Sequence, residues 1–437
     1  MAEHDVSQSR LYEWLTGDDD SRMCDDIPES ACDEQPHNFF LHVWASLGNK
    51  LADELSSARL VLPWLMGIIG APVWMVGLLV PIRESGALLP QIFVAGFIRL
   101  KPRRKWVWVT GALTQACAAL ALAVLALFAN GTLGGALVLA VLVLLSLARG
   151  LSSIATKDVL GKTIAKRRRG TLMGWSGSIA GGATLAAGAV LMLFESRPGN
   201  LVVAILLVIA ASGWLMNAIA AARIQEAAGA VEGGENGWDS IKLGLSLLKD
   251  DRTFLHFNVA RALLLSSALA LPYIALLGQN QSGTDLGGLG ILIVVSGLAA
   301  MVASPVWGKR ADHSSRGVMR DAAMGTTICC LLAASLAWLP GEWTHSIWPY
   351  ATIYALLVIV HHGVRLGRKT YLVDMASQDN RALYVALSNT LTGVLMLLVG
   401  GVVGAFAQWF GSGVLLLILA ATGAGAMLSA HQLPEVD

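Results

Sequence analysis

Lys50, Asp53 and Glu54 stand at i, i+3 and i+4, so one helical face would carry an ammonium and two carboxylates. Such a group can exchange a proton, hold a neighbour in an ion pair, or release it when a competing charge arrives. Arg83 and Glu84 are adjacent between Pro81 and Pro90; they point to different faces and need other partners. Arg149 interrupts one apolar run, His256, Asn258 and Arg261 open another, His361, His362 and Arg365 share an arc of a third, and Asn389 lies in a fourth. Guanidinium groups recognise carboxylate or phosphate, and imidazole changes charge near neutral pH. Two readings of the first cluster stay open. Lys50 with Asp53 or Glu54 is a local ion pair that neutralises itself, or Asp53 is a coupling acid that gains and loses a proton. His256 reads as an interfacial residue. No metal-ligand cluster, nucleophile elbow, Walker loop or dinucleotide fingerprint accompanies these groups. Neither an enzyme nor a bound cofactor or metal is expected.

The elements that carry these side chains are long and apolar. The chain has 437 residues, 55% of them hydrophobic and only 14% charged, with mean hydropathy +0.61. Soluble domains carry about 25% charged residues; a chain this apolar needs a bilayer as its partner. A membrane helix takes about 20 apolar residues. Twelve runs qualify, at 40–66, 72–98, 106–129, 133–155, 171–194, 200–223, 254–278, 286–307, 321–339, 346–366, 383–409 and 411–430. The first is the weakest, because it holds Asn49, Lys50, Asp53, Glu54 and Arg59. A charge inside the bilayer costs about 2.5–3.5 kcal/mol, so each should face a cavity or a partner. Residues 1–38 are acidic and poor in aliphatics, which predicts a disordered tail. Cys24, Cys32, Cys117, Cys329 and Cys330 show neither a disulfide framework nor zinc spacing. The net charge of +1 is segregated rather than gathered on a face, which argues against nucleic acid.

The segments between runs alternate in charge. One set holds Lys101, Arg103, Arg104 and Lys105, then Lys157, Lys162 and Lys166 to Arg169, then Lys242, Lys249 and Arg252, then Lys309, Arg310, Arg316 and Arg320, then Arg368, Lys369 and Arg381. The other set holds a single base, Arg197. The bias predicts an even number of spans in an inner membrane with both termini in the cytoplasm. The halves repeat: Phe40-Leu41-His42 matches Phe254-Leu255-His256 at an offset of 214, Pro90 matches Pro305 at 215, and Arg168 with Arg381 and Gly188 with Gly401 match at 213. The expected organisation is a tail at 1–38, a six-helix bundle at 39–224, a linker at 225–252 with an amphipathic surface helix at 238–249, a second bundle at 253–432 and a short tail at 433–437.

Between the eighth and ninth runs, Gly308 to Arg316 reads Gly-Lys-Arg-Ala-Asp-His-Ser-Ser-Arg, a tight basic turn in which Gly308 would let helix ends approach and Asp312 would latch a basic partner. Its pattern, Gly308, Asp312 and Arg316 at intervals of four, resembles the cytoplasmic loop signature of the major facilitator superfamily. With the duplication, the resemblance covers about 39–432. The first-half loop departs from it, with Phe93 and Phe97 in place of the glycine and acid. Arg149-Gly150 lacks the Gln-Gly that would follow in the family's fourth helix, and the fifth lacks the antiporter proline after Gly174, Gly177, Gly181 and Gly182. The resemblance implies an all-α membrane protein with twelve transmembrane helices in two six-helix parallel-repeat bundles. It implies a secondary transporter, acting as a monomer on a small solute by alternating access. Runs 1, 4, 7 and 10 would line the cavity, bringing Lys50, Asp53, Arg149, Arg261 and Arg365 to it. Proton coupling fits the titratable groups; sodium coupling, uniport, and a non-transporting scaffold or sensor of the same fold are the alternatives. Several cavity arginines favour a substrate with an anionic group. Gly177 with Gly181 and Gly400 with Gly404 read as sites of close helix packing.

Overall fold

The structure is a computed structural model that describes residues 12, 29–89, 101–192, 199–228, 251–282, 286–311, 313–339, 342–376 and 381–436. The described residues are helical apart from short connections. A bilayer offers no water to backbone amides, and helices satisfy them within the segment.

A short helix α1 (Glu29–Asp33) leads into α2 (Gln35–Leu55), with proline in the first turn of α2. Tyr12 packs edge-on against Phe39 with ring centroids 5.3 Å apart. Its hydroxyl accepts a hydrogen bond from Gln35 Nε2 at 3.0 Å. Residues 29–38 thus differ from the disorder expected of an acidic tail, because an aromatic contact and a buried amide anchor them. Cys32 is disulfide-bonded, which the cysteine spacing did not reveal. The first apolar run is broken: α2 ends where Ser56 Oγ donates to the Ala52 carbonyl at 2.7 Å, and the chain resumes as α3 (Val61–Ile68). Next come α4 (Val73–Leu88), α5 (Lys105–Phe128), α6 (Gly131–Thr163), α7 (Lys166–Met192) and α8 (Gly199–Arg223). The expected helix at 238–249 lies outside the described residues.

The seventh run is also split, into α9 (Arg252–Leu263) and α10 (Ser266–Ser282). Asp251 caps α9, accepting from the Phe254 amide at 2.9 Å. Then follow α11 (Leu286–Ala311), α12 (Ser315–Trp338), a 3-10 turn at Glu342–His345, α13 (Trp348–Met375) and α14 (Arg381–His431). Within α14, Gly411 takes φ 81° and ψ 162°, a conformation that glycine adopts without strain, and two helices meet there. The eleventh and twelfth apolar runs divide one residue earlier, at 410. Eight described helical stretches are long and apolar enough to cross a membrane by length and composition, the last holding both sides of Gly411. Their outer faces are apolar: Phe128 is 76% exposed, Leu133 73% and Trp409 77%.

The turn expected at 308–316 is shorter than its sequence suggested. Gly308 sits inside α11, and a Cβ there would meet nothing within 4 Å, so it serves no close approach in this structure. Ser314 caps α12, accepting from the Gly317 amide at 2.8 Å. Arg316 lies in α12 and pairs with Glu435 at 2.7 Å, while its other guanidinium nitrogen donates to the Leu433 carbonyl at 3.0 Å. Asp312 lies outside the described residues.

In the first half α8 packs on α2 and α5, α5 on α6, α4 on α6 and α2 on α7. In the second, α14 packs on α9, α10 and α12, α12 on α13 and α11 on α13. The halves meet along α4 with α14, α7 with α11, and α10 with α3 and α4. Along α4 and α14 the backbones nearly touch. A Cβ at Gly77 would lie 2.6 Å from Gly404 Cα, one at Gly404 2.3 Å from the Trp74 carbonyl oxygen, and one at Gly400 2.1 Å from Pro81 Cγ. Gly177 approaches only the Lys50 ammonium, at 3.3 Å, and Gly181 has open space, so this glycine pair makes no helix contact.

Candidate functional site in the cleft between the halves

The polar residues of α2, α4, α6 and α13 converge where α2 breaks. Asp53 Oδ1 accepts hydrogen bonds from both Arg83 of α4 and Arg149 of α6. Asn49 Nδ2 donates to Asp53 Oδ2 at 3.4 Å. Arg83 is nearly buried and Asp53 18% exposed, so this carboxylate holds two guanidiniums away from bulk water. Lys50 does not pair with Asp53 or Glu54 as the local reading expected. Its Nζ donates to Ser176 Oγ of α7 at 3.3 Å. The physical reason is reach and competition: two planar guanidiniums from neighbouring helices occupy Asp53, and the lysine extends across to α7.

Arg59, in the break between α2 and α3, pairs with Glu84 at 2.6 Å; the two side chains are 25% and 37% exposed. Glu54 is exposed and makes no hydrogen bond or ion pair among the described residues, although it lies midway through the first apolar run. Arg365 of α13 is exposed as well, and its electrostatic neighbours are Arg59, Glu84, Arg149 and Glu54. Exposed and part-exposed charged side chains from both halves thus lie within electrostatic range of one another, which marks a solvent-accessible cleft between them. Nearer the end of the molecule that holds Lys105, Lys162 and Arg252, here the basic end, Lys157 of α6 and Lys369 of α13 are exposed and lie within electrostatic range of each other. Arg368 is half-buried beside Arg365 and Glu84.

Toward the opposite end the cleft is closed. Trp64 of α3 is fully buried, and its carbonyl accepts a hydrogen bond from Gln279 Nε2 of α10 at 3.0 Å. The Tyr354 hydroxyl reaches the Arg59 carbonyl at 3.5 Å. A Cβ at Gly288 would lie 3.3 Å from the Trp64 ring.

A second polar group joins α9 to α14. Arg261 donates to Ser388 Oγ at 2.6 Å and Asn389 Oδ1 at 2.8 Å, and Ser388 donates to Asn258 Oδ1 at 2.7 Å. Neutral oxygens surround this buried cation. Asn258, Arg261 and Asn389, singled out separately in the sequence, thus form one unit. His361 is buried, with Nδ1 at 3.0 Å from Ser267 Oγ, while His362 is half-buried. His256 is half-buried near the start of α9. Arg381 begins α14, and Gly308 and Arg316 lie away from this group on α11 and α12. No group of three or more His, Cys, Asp or Glu able to hold a metal occurs among the described residues.

Sequence reasoning left Arg59 as a blemish in a weak span and assigned Lys157, Arg368 and Lys369 to loops. The helices α6 and α13 extend further than their apolar runs, to Thr163 and Met375, and carry these bases into the structure. The signal was there in the spacing, since Arg149 to Lys157 is i+8 and Arg365 to Lys369 is i+4.

No family model matches the chain. An uncharacterised protein of Mycobacterium tuberculosis is 24% identical over 388 residues, spanning 85% of this chain and 72% of its own length, and its counterpart in Mycobacterium bovis gives the same values. Solved structures match at TM-scores near 0.7. A variant of the nucleoside transporter NupG aligns with TM-score 0.69 at 13% identity, over 90% of this chain and 99% of its own. A D-xylose-proton symporter gives 0.68 at 12%, over 91% and 98%. The xylose transporter XylE from E. coli, in an inward-open conformation, gives 0.67 at 11%, over 92% and 97%. The chain shares the fold of these solved transporters, and its described helices are those of a multi-pass membrane protein.

Proposed function

We propose that the chain is a proton-coupled secondary transporter that moves a small solute across an inner membrane by alternating access. Twelve spans form two six-helix halves related by a parallel repeat, and both termini lie in the cytoplasm of a monomeric protein. The observation that carries the reading is the cleft between α6 and α13. Charged groups that would be costly in lipid face each other there, exposed on the side of the basic end and sealed by Trp64, Gln279 and Tyr354 at the other. This is an inward-facing arrangement if the basic end is cytoplasmic.

Glu54 is the coupling carboxylate in this reading. Asp53, the acid favoured from the sequence, is committed to two guanidiniums, whereas Glu54 is exposed and makes no hydrogen bond or ion pair among the described residues, free to take a proton from water and give it up when the cleft reorients. The solved transporters of this fold include a D-xylose-proton symporter, a nucleoside transporter and a POT family transporter in complex with a thioalcohol conjugated peptide, so the fold accepts diverse solutes. The reading is tested with purified protein in proteoliposomes. Uptake of members of a solute library, driven by an imposed proton gradient and collapsed by an ionophore, is expected. Uptake that persists unchanged without the gradient would make the protein a uniporter, and gradient-independent silence across the library together with normal folding would favour a scaffold or sensor.

A further inference from the structure

The cleft holds more cations than its acids can neutralise. From the first half come Lys50, Arg59, Arg83, Arg149 and Lys157, and from α13 come Arg365, Arg368 and Lys369; the acids are Asp53, Glu54 and Glu84. Asp53 is spent on Arg83 and Arg149, and Glu84 on Arg59. Arg365 and Arg368 make no hydrogen bond or ion pair among the described residues. The surplus is also arranged across the gap. Lys157 of α6 and Lys369 of α13, both exposed, lie within electrostatic range of each other, as do Arg149 of α6 and Arg365 of α13. Like charges therefore confront each other from the two halves, which opposes their approach at the basic end. That repulsion grows as water is squeezed out and the effective dielectric falls.

We propose that the cleft binds a small dianionic solute, its charge borne by a phosphomonoester or a pair of carboxylates, between α6 and α13, and that this charge permits the two helices to close over it. Arg365 and Arg368 supply the planar donors that such a group recognises, while Lys157 and Lys369 act as point charges at the mouth. A neutral sugar or nucleoside leaves the confrontation of like charges intact. A monoanion removes only part of it. The closing step rests on the transporter reading above; the binding of a dianion does not.

The test uses the purified full-length chain in detergent at pH 8 and constant ionic strength. Sodium phosphate and sodium succinate are titrated against sodium chloride, with xylose and uridine as neutral controls. Phosphate, succinate or both should raise the melting temperature saturably, and the neutral solutes should not. Lys157→Gln and Lys369→Gln lie on exposed positions and should fold; each should weaken the apparent affinity about tenfold, the loss of one charge-assisted contact. A cysteine in place of Ser153, on the same face of α6, reports closure. Its alkylation should slow in the dianion, and should already be slow without it in the Lys157→Gln, Lys369→Gln double variant. Absence of any saturable effect of either dianion relative to chloride overturns the inference, as does an equal effect of xylose or uridine. Loss of the dianion effect with uptake of a neutral solute retained removes this inference and leaves the transporter. A dianion effect without transport of anything removes the transporter and leaves the site.

Discussion

Asp53 is one carboxylate between two guanidiniums, and the consequences of altering any member differ. Removing the shared acid leaves Arg83, which is nearly buried, without a countercharge. Breaking a buried pair from one side costs about 3–5 kcal/mol. Asp53→Asn should therefore lower the melting temperature strongly. Arg149→Gln should be far milder, because Arg149 is 37% exposed and its loss leaves a neutral Asp53–Arg83 pair. Adding Arg83→Gln to Asp53→Asn should restore part of the stability. Thermal unfolding of the four proteins checks this, and equal losses for Asp53→Asn and Arg149→Gln would contradict it. Glu54 belongs to a different experiment. It makes no hydrogen bond or ion pair among the described residues, so Glu54→Gln should leave the melting temperature near that of the parent. If it carries the coupling proton, the variant should lose accumulation against a gradient and keep exchange of internal for external solute. Full accumulation in Glu54→Gln would remove it from that role.

Among the elements, α4 and α14 form the closest joint between the halves. Backbone stands against backbone there, so an added methyl has no flexible neighbour to displace. Gly77→Ala and Gly404→Ala should each separate the helices at a cost of about 1–3 kcal/mol, the usual range for overpacking. Gly401, one residue from Gly400, has open space, and Gly401→Ala should be neutral in the same melting assay. Gly308→Ala should be neutral in stability too, although it alters the most recognisable motif of the sequence. A destabilised Gly308→Ala protein would show that the glycine packs closely after all. The broken helices matter in another way. The break between α2 and α3 places Arg59 where no continuous helix would put it, against Glu84 and near Arg365. At that between α9 and α10, Ser267 donates to the Leu264 carbonyl at 3.0 Å and meets His361 Nδ1 at 3.0 Å.

For the molecule as a whole, the seal and the cleft lie at opposite ends, and they predict opposite accessibility. Gln279 crosses between the halves to the Trp64 carbonyl, so Gln279→Ala should loosen the sealed end. A cysteine at Leu60, buried above the charged group, should then react faster with an impermeant thiol reagent applied from that side; an unchanged rate would show that the seal does not depend on this bond. Orientation in the membrane follows from the same chemistry. A cysteine at Asn130, exposed at the turn between α5 and α6, should label in intact cells, and one at Ser314, between α11 and α12, only after the membrane is opened. The reverse result would invert the topology.

Composition and periodicity determine how this chain meets its solvent. Long apolar stretches demand a bilayer, the alternation of basic segments predicts their orientation, and the division of the last two runs at residue 410 falls one residue from the kink at Gly411. These features are local, since each depends on residues within one run or one loop. The partners of the charges were not legible in this way. Asp53 and Lys50 are neighbours on one helical face, and their pairing is one of the two readings the sequence allows, yet Asp53 is held by Arg83 and Arg149, 30 and 96 residues away. Which bases reach it depends on how α4 and α6 pack against α2. The same holds for Lys157 and Lys369, which read as loop charges until α6 and α13 bring them within electrostatic range of each other. Hydropathy is a sum over a window and survives without neighbours; an ion pair is a distance between helices, and only the tertiary structure sets it.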